Sequence, residues 1–220
     1  MGNDGLLIMT GRNAGRIRLI IFDLGNVVFE VINRNAFRYW AQVTPFPEEY
    51  FAELHMPDLV FHQFERGELT PVQFYEALIK YKKVNLSFED FSKGWNSVFG
   101  EVYPEVHAAL QRITDSIFLT ALTNTNELHY KVWSNKYAET LKLFNRIFIS
   151  CRLGFRKPEE RAFRHVSKAF DMKPHEILYF DDVAENIEKA DALGMHAVQV
   201  YNPTDVTTEL LERGLMALYR

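Results

Sequence analysis

Five short apolar runs decide what this chain can fold into: residues 19–22, 117–122, 147–150, 177–180 and 197–200. None alternates apolar with polar, as a strand with one wet face does, so each reads as a strand covered on both sides. Helical patterns separate the last four. Residues 159–170 follow Pro158 and place Ala162, Phe163, Val166 and Phe170 on one face. Residues 184–193 do the same with Ala184, Ile187 and Ala190, and Gly194 stands where the helix should end. Strands alternating with helices predict βαβ units and an α/β fold built on a doubly wound parallel sheet.

Between the first and second runs the pattern changes. Residues 33–102 show no strand signal but several helix signals. Thr70-Pro71-Val72-Gln73 is a capping box with proline at the first helical position, followed by Phe74, Ala77, Leu78 and Tyr81 on one side. Ser87 starts another helix, with Phe88, Phe91, Trp95 and Phe99 at helical spacing as a packing face. The expected organisation is an N-terminal extension over 1–16, a discontinuous α/β core over 17–32 and 103–220, and an inserted all-helical cap over 33–102. Such a cap would lie over the carboxyl end of the sheet, where open α/β sheets bind ligands.

Composition narrows the function classes. A net charge of −4 with no basic stripe gives nucleic acid no footprint. No stretch approaches the roughly 20 apolar residues of a membrane helix, and the apolar patch at 6–9 is too short for a signal peptide. No membrane partner and a cytoplasmic location are therefore expected. Cys151 is the single cysteine, so an internal disulfide is excluded; it reads as a buried thiol at a strand end.

The chemistry sits where the runs end. Asp23 follows the first, Thr123 and Asn124 the second, Asp181 and Asp182 the fourth, and Lys157 precedes Pro158. Taken singly, each is an ordinary cap or loop residue. Gathered at one sheet edge, they describe a Mg²⁺-assisted phosphoryl-transfer site. Asp23 would attack phosphorus to form an aspartyl-phosphate. Asp23, Asp181 and Asp182 supply the few carboxylates that Mg²⁺ prefers. Thr123 and the backbone amides around Asn124 would hold phosphate oxygens, and Lys157 would balance the charge of nucleophile and phosphate.

Asp23-Leu24-Gly25-Asn26-Val27-Val28, Leu122-Thr123-Asn124, Arg156-Lys157-Pro158 and Phe180-Asp181-Asp182 resemble the four ordered motifs of the haloacid dehalogenase superfamily. Within it, residues 22–28, 62–68 and 153–159 are similar to the bacterial α-D-glucose-1-phosphate phosphatases. The resemblance implies a Rossmann-like five-stranded core, a helical cap between the first two strands, and dependence on Mg²⁺. It assigns Asp23 as nucleophile, Thr123 and Lys157 as phosphate binders, and Asp181 and Asp182 as metal ligands, with Asp182 favoured for direct coordination. The substrate implied is a small phosphorylated metabolite, such as glucose 1-phosphate.

Position 25 departs from the superfamily pattern, in which a second Asp protonates the leaving alcohol and then activates water. Gly25 keeps a backbone carbonyl for a metal but cannot transfer a proton. That favours leaving groups needing little help, so a sugar 1-phosphate over a 6-phosphate. It also keeps open a catalytically weakened protein that binds a phosphorylated metabolite or a partner. A dehalogenase would use Asp23 on carbon without metal, leaving Asp181 and Asp182 without that task; a phosphomutase lacks the relay acid. In the cap, His62, Glu65 and Arg66, with His55 and Glu68 nearby, are the candidates for meeting a sugar.

Overall fold

The computed structural model describes residues 17–53 and 58–217; the expected extension at 1–16 and His55 lie outside the described residues. The chain opens with β1 (Leu19–Phe22), whose four side chains are fully buried, and turns into the short β2 (Phe29–Val31). Five helices follow: α1 (Asn33–Val43), α2 (Glu48–Glu53), α3 (Asp58–Glu65), α4 (Pro71–Lys82) and α5 (Phe88–Asn96). Strand β3 (Phe99–Val102) then returns antiparallel to β2. The remainder alternates: α6 (Pro104–Leu110), β4 (Phe118–Thr123), α7 (Glu127–Lys136), α8 (Ala138–Leu141), β5 (Arg146–Ile149), α9 (Ser150–Leu153) and α10 (Glu160–Phe170). It closes with β6 (Ile177–Asp181), α11 (Ala184–Ala192), β7 (His196–Gln199) and α12 (Pro203–Glu212). No helix among the described residues is long and apolar enough to cross a membrane.

The main sheet is wholly parallel, in the order β5-β4-β1-β6-β7. This is the predicted doubly wound α/β architecture. Central β1 pairs Phe22 with Ala121 of β4 and Phe180 of β6, so the residues just beyond gather at one rim. One apolar cluster, around Phe22, Leu178 and Phe180, covers one face of the sheet, and a second, around Ile21, Phe163 and Tyr179, covers the other. That two-sided cover is why the strand sequences do not alternate.

Helices α1 to α5 bury a core of their own, mostly aromatic: Trp40, Phe51, Phe64, Phe74 and Phe91. The capping box at Thr70 forms as read, with the Thr70 hydroxyl accepting from Gln73 N–H and the Gln73 side chain accepting from Thr70 N–H. Three local expectations need correction. Phe99 does not continue the Ser87 helix: α5 ends at Asn96, where the Ser97 hydroxyl donates to the Gly94 carbonyl, and Phe99 begins a strand inside the segment read as all-helical. The pair β2–β3 is so short that its sequence carries no alternation to recognise. Ser150 and Cys151 belong to α9 rather than to the end of a strand, and the half-buried Cys151 thiol is pushed up to about 12, chiefly by burial.

The helical layer meets the sheet layer at Gly67 and at His129, among other contacts. Gly67 holds φ +71° against α9, where an added Cβ would lie 2.1 Å from the Cys151 carbonyl oxygen, so only glycine fits. On α7, His129 stacks on Trp95 at 5.0 Å between ring centroids and bonds its carbonyl at 2.9 Å. Burial pushes the His129 imidazole down to about 4, against an ordinary 6.5 in the unfolded chain. The unfolded state therefore binds the proton more readily, and stability present above pH 6.5 is lost as pH falls towards 4. His129→Phe, which keeps the stacked ring, should flatten the fall in Tm across that window; an unaltered slope would clear His129 of the acid sensitivity.

Candidate active site

Asp23 leaves β1 with its N–H donating to the Phe180 carbonyl at 2.8 Å, which fixes the acid beside the end of β6. Between Asp23 and Asp181 lies the ammonium of Lys157, itself only 1% exposed. Lys157 Nζ stands 2.8 Å from Asp23 Oδ1 and donates to Asp181 Oδ2 at 2.6 Å. Toward Asp23 the contact is an ion pair, so one buried ammonium faces two carboxylates. Burial works against charge on Lys157, yet the two carboxylates outweigh it and raise its pKa.

The two later acids are held differently. Asp181 is fully buried, and its oxygens accept from Lys157, the Tyr179 hydroxyl, Val183 N–H at 2.8 Å and Asn186 Nδ2 at 2.9 and 3.1 Å. Asp182 accepts from Asn26 Nδ2 at 3.1 Å, its one side-chain partner among the described residues. Asn26 adopts φ 55° and accepts from Val31 N–H at 3.0 Å, tying the turn after β1 to β2. Carboxylate oxygens of Asp23, Asp181 and Asp182 lie within 4.8 Å of one another. Burial drives Asp23 up to about 7; Lys157 opposes this, and the two neighbouring acids add to it. Burial likewise raises Asp182, against its Asn26 hydrogen bond. One ammonium cannot balance three close carboxylates. The two negative charges left over match a divalent cation with oxygen ligands, and the donor set therefore fits Mg²⁺.

The loop after β4 is built as tightly. Thr123 ends the strand, 5% exposed. The side chain of Asn124 grips the backbone of Lys157 on both sides: Lys157 N–H donates to Oδ1 at 2.9 Å, and Nδ2 donates to the Lys157 carbonyl at 3.0 Å. Asn124 is therefore a positioning residue for Lys157, and only its backbone remains for a ligand. Ser150 Oγ accepts from Thr125 N–H at 2.9 Å and donates to its carbonyl at 3.0 Å. Asn126 caps α7 by accepting from His129 N–H at 3.1 Å.

Gly25 sits under Val31: a Cβ there would meet Val31 Cγ2 at 3.1 Å, so a side chain requires the valine to give way. Of the residues singled out in the helical layer, Glu65 binds Arg156 at 2.6 Å across the junction, and Arg66 spans to Glu159 at 3.5 Å while pairing with Glu68. His62 lies one turn earlier on α3, where its carbonyl accepts from Arg66 N–H. Sequence reasoning missed Asn26, Val31, Tyr179 and Asn186. Tyr179 could have been found, since it stands two residues before Asp181 and so shares its face of β6.

The bridging lysine is the sharpest test of this construction. Lys157→Met removes one partner from a buried ion pair and leaves three acids to repel one another. It should cost about 3–5 kcal/mol of stability at pH 7 in urea unfolding. A variant as stable as the parent would show that the charges are relieved by some other group.

A family model described as haloacid dehalogenase-like hydrolase matches residues 17–194. Among curated relatives, a D-ribitol-5-phosphate phosphatase of Bacteroides thetaiotaomicron is 24% identical over 88% of this chain and 97% of its own length. Drimenol cyclase of Aspergillus calidoustus is 26% identical over 90% of the chain, which spans only 38% of that relative. Of solved structures, an HAD-like hydrolase of Porphyromonas gingivalis superposes with a TM-score of 0.74 at 25% identity, covering 89% of this chain and 98% of that one. A B. thetaiotaomicron HAD-family enzyme solved with magnesium and inorganic phosphate gives 0.69 at 23% identity, covering 83% and 93%.

Proposed function

This chain belongs to the haloacid dehalogenase-like hydrolases, and we propose on that premise that it is a Mg²⁺-dependent phosphatase of a small, polar phosphate monoester. The observation that carries the reading is Lys157, buried between Asp23 and Asp181 with Asp182 in the same cluster. The relative that acts on D-ribitol 5-phosphate and the structural neighbour solved with magnesium and phosphate support it.

In this reading Asp23, Asp182 and the Gly25 carbonyl hold the metal, with Asp181 behind them locking Lys157 and the rim. When bound, Mg²⁺ would neutralise the acid cluster and the charge on the phosphoryl oxygens. Thr123 and the backbone of Asn124 bind phosphate oxygens, and Lys157 stabilises charge gathering on phosphorus. A carboxylate oxygen of Asp23 forms its bond to phosphorus as the ester oxygen leaves with its electron pair. Water then hydrolyses the aspartyl-phosphate. No side chain at position 25 donates the leaving group's proton, so that oxygen takes it from solvent. The requirement favours acidic leaving groups, among them the anomeric oxygen of glucose 1-phosphate.

Phosphate release with Mg²⁺ from a panel of sugar and polyol phosphates tests the reading. Asp23→Asn should abolish turnover and Asp182→Ala should remove the dependence on Mg²⁺. Lys157→Ala should raise the barrier by about 2–4 kcal/mol, measured as kcat. Glucose 1-phosphate should outpace glucose 6-phosphate, and the reverse order would defeat the leaving-group argument. Gly25 also favours a second reading, a protein that binds a phosphorylated metabolite without turning it over. Release no faster than the Asp23→Asn control on every ester would establish that one instead.

A further inference from the structure

Three buried polar side-chain atoms without a hydrogen-bond partner among the described residues lie on a single helix: Ser92 Oγ, Trp95 Nε1 and Asn96 Oδ1 of α5. Their spacing of i, i+3 and i+4 puts them on one face. Buried polar atoms are nearly always paired, and exceptions call for an explanation. The contrast inside this protein is direct, because the other two indoles are satisfied. Trp40 Nε1 donates to the Phe91 carbonyl at 3.3 Å, and Trp133 Nε1 donates to Thr125 Oγ1 at 3.1 Å.

Trp95 sits where the helical layer meets the sheet layer. On one side Trp95 stacks on His129 of α7, the helix that starts at Glu127 just after the Thr123 loop. On the other, its ring centroid is 6.2 Å from those of Phe61 and Phe64 on α3. The residue after Phe64 is Glu65, which holds Arg156, the neighbour of Lys157. Helix α7 thus follows directly on the loop after Thr123, and α3 ends at the ion pair beside Lys157.

The chemistry of the three atoms selects a partner. An indole N–H only donates, an amide oxygen only accepts, and a serine hydroxyl does both. Ligand hydroxyls match all three at once. A hydrocarbon chain would leave every one unpaired, and a second phosphate would meet the Asn96 oxygen with its own. We propose that Ser92, Trp95 and Asn96 bind hydroxyl groups of the substrate's leaving group, so that the substrate is a sugar or polyol phosphate and not an isoprenoid one. The proposal deepens the phosphatase reading and takes its phosphate position from it.

Binding to the Asp23→Asn protein in Mg²⁺, measured by calorimetry, tests the row without requiring turnover. The ligands are α-D-glucose 1-phosphate, D-ribitol 5-phosphate, geranyl phosphate and inorganic phosphate. At least one hydroxylated ester should bind more tightly than inorganic phosphate and than geranyl phosphate. Trp95→Phe, Asn96→Ala and Ser92→Ala should each lower that ester-to-phosphate affinity ratio, by about three- to tenfold for one hydrogen bond. Trp95→Phe keeps the aromatic packing, and Ser92→Ala is the smallest change should Asn96→Ala fail to fold. An unchanged ratio in the folded variants, a preference for geranyl phosphate, or no advantage of either hydroxylated ester over phosphate overturns the proposal. Lack of phosphate release by the parent protein would sink the phosphatase reading while leaving this binding result to be judged by itself.

Discussion

A buried ammonium dictates how this site is built. Lys157 is out of water, and a charge so placed is tolerable only when paired and hydrogen-bonded. Asp181 meets that demand only because Tyr179, Asn186 and the Val183 amide hold it in turn. Asn124 fixes the lysine's backbone from both sides, so the ammonium is aimed by strands β4 and β6 together. The parallel register of β1 between them puts Asp23 at the same spot. The contacts that hold Asp181 are local, but those that join Lys157 to Asp181 and to Asn124 span 24 and 33 residues. Sheet order and side-chain chemistry are therefore one constraint: a slip of one residue in β1 would turn its side chains over and remove Asp23 from the lysine.

The helical layer reaches the same loop from outside. Glu65 and Arg156 pair with their side chains 9% and 16% exposed, one residue from Lys157. Burial raises the Glu65 pKa even though Arg156 pulls it down, so that contact is costly to form and costly to break. Together with the close seat of Gly67 on α9 and the stacking of His129 on Trp95, it makes α3 and α5 parts of the site wall.

The strands of the main sheet were legible because burial on both faces leaves short, mostly apolar runs without alternation, here separated by helix signals. Asp23, Thr123 and the Asp181-Asp182 pair were legible because each follows such a run, and Lys157 because it stands before Pro158 at the start of a helix. What escaped was set by contacts between distant residues. Phe99 keeps the helical spacing of Phe91 and Trp95, and only its pairing with Val31 across β2 and β3 makes it a strand. Asn124 looked like a ligand residue, yet its amide faces the Lys157 backbone 33 positions away. Glu65 and Arg66 read as candidates for sugar contacts, and the partners that claim them across the junction come from residues 156 and 159.

A missing proton donor and a row of unpaired polar atoms belong to one argument. With Val31 lying against the Cβ position of Gly25, nothing on β1's turn helps a poor leaving group depart. The rate must then come from the charge around phosphorus, from the leaving group's own acidity, and from how well the ester is held for attack. Binding energy drawn from parts of the substrate remote from phosphorus can be spent on that alignment. Hydroxyls seated against Ser92, Trp95 and Asn96 would supply it at the leaving-group end, where the acid is absent. A carbohydrate ester answers both needs, since its ring carries the hydroxyls and its anomeric oxygen leaves with less protonation than a simple alkoxide.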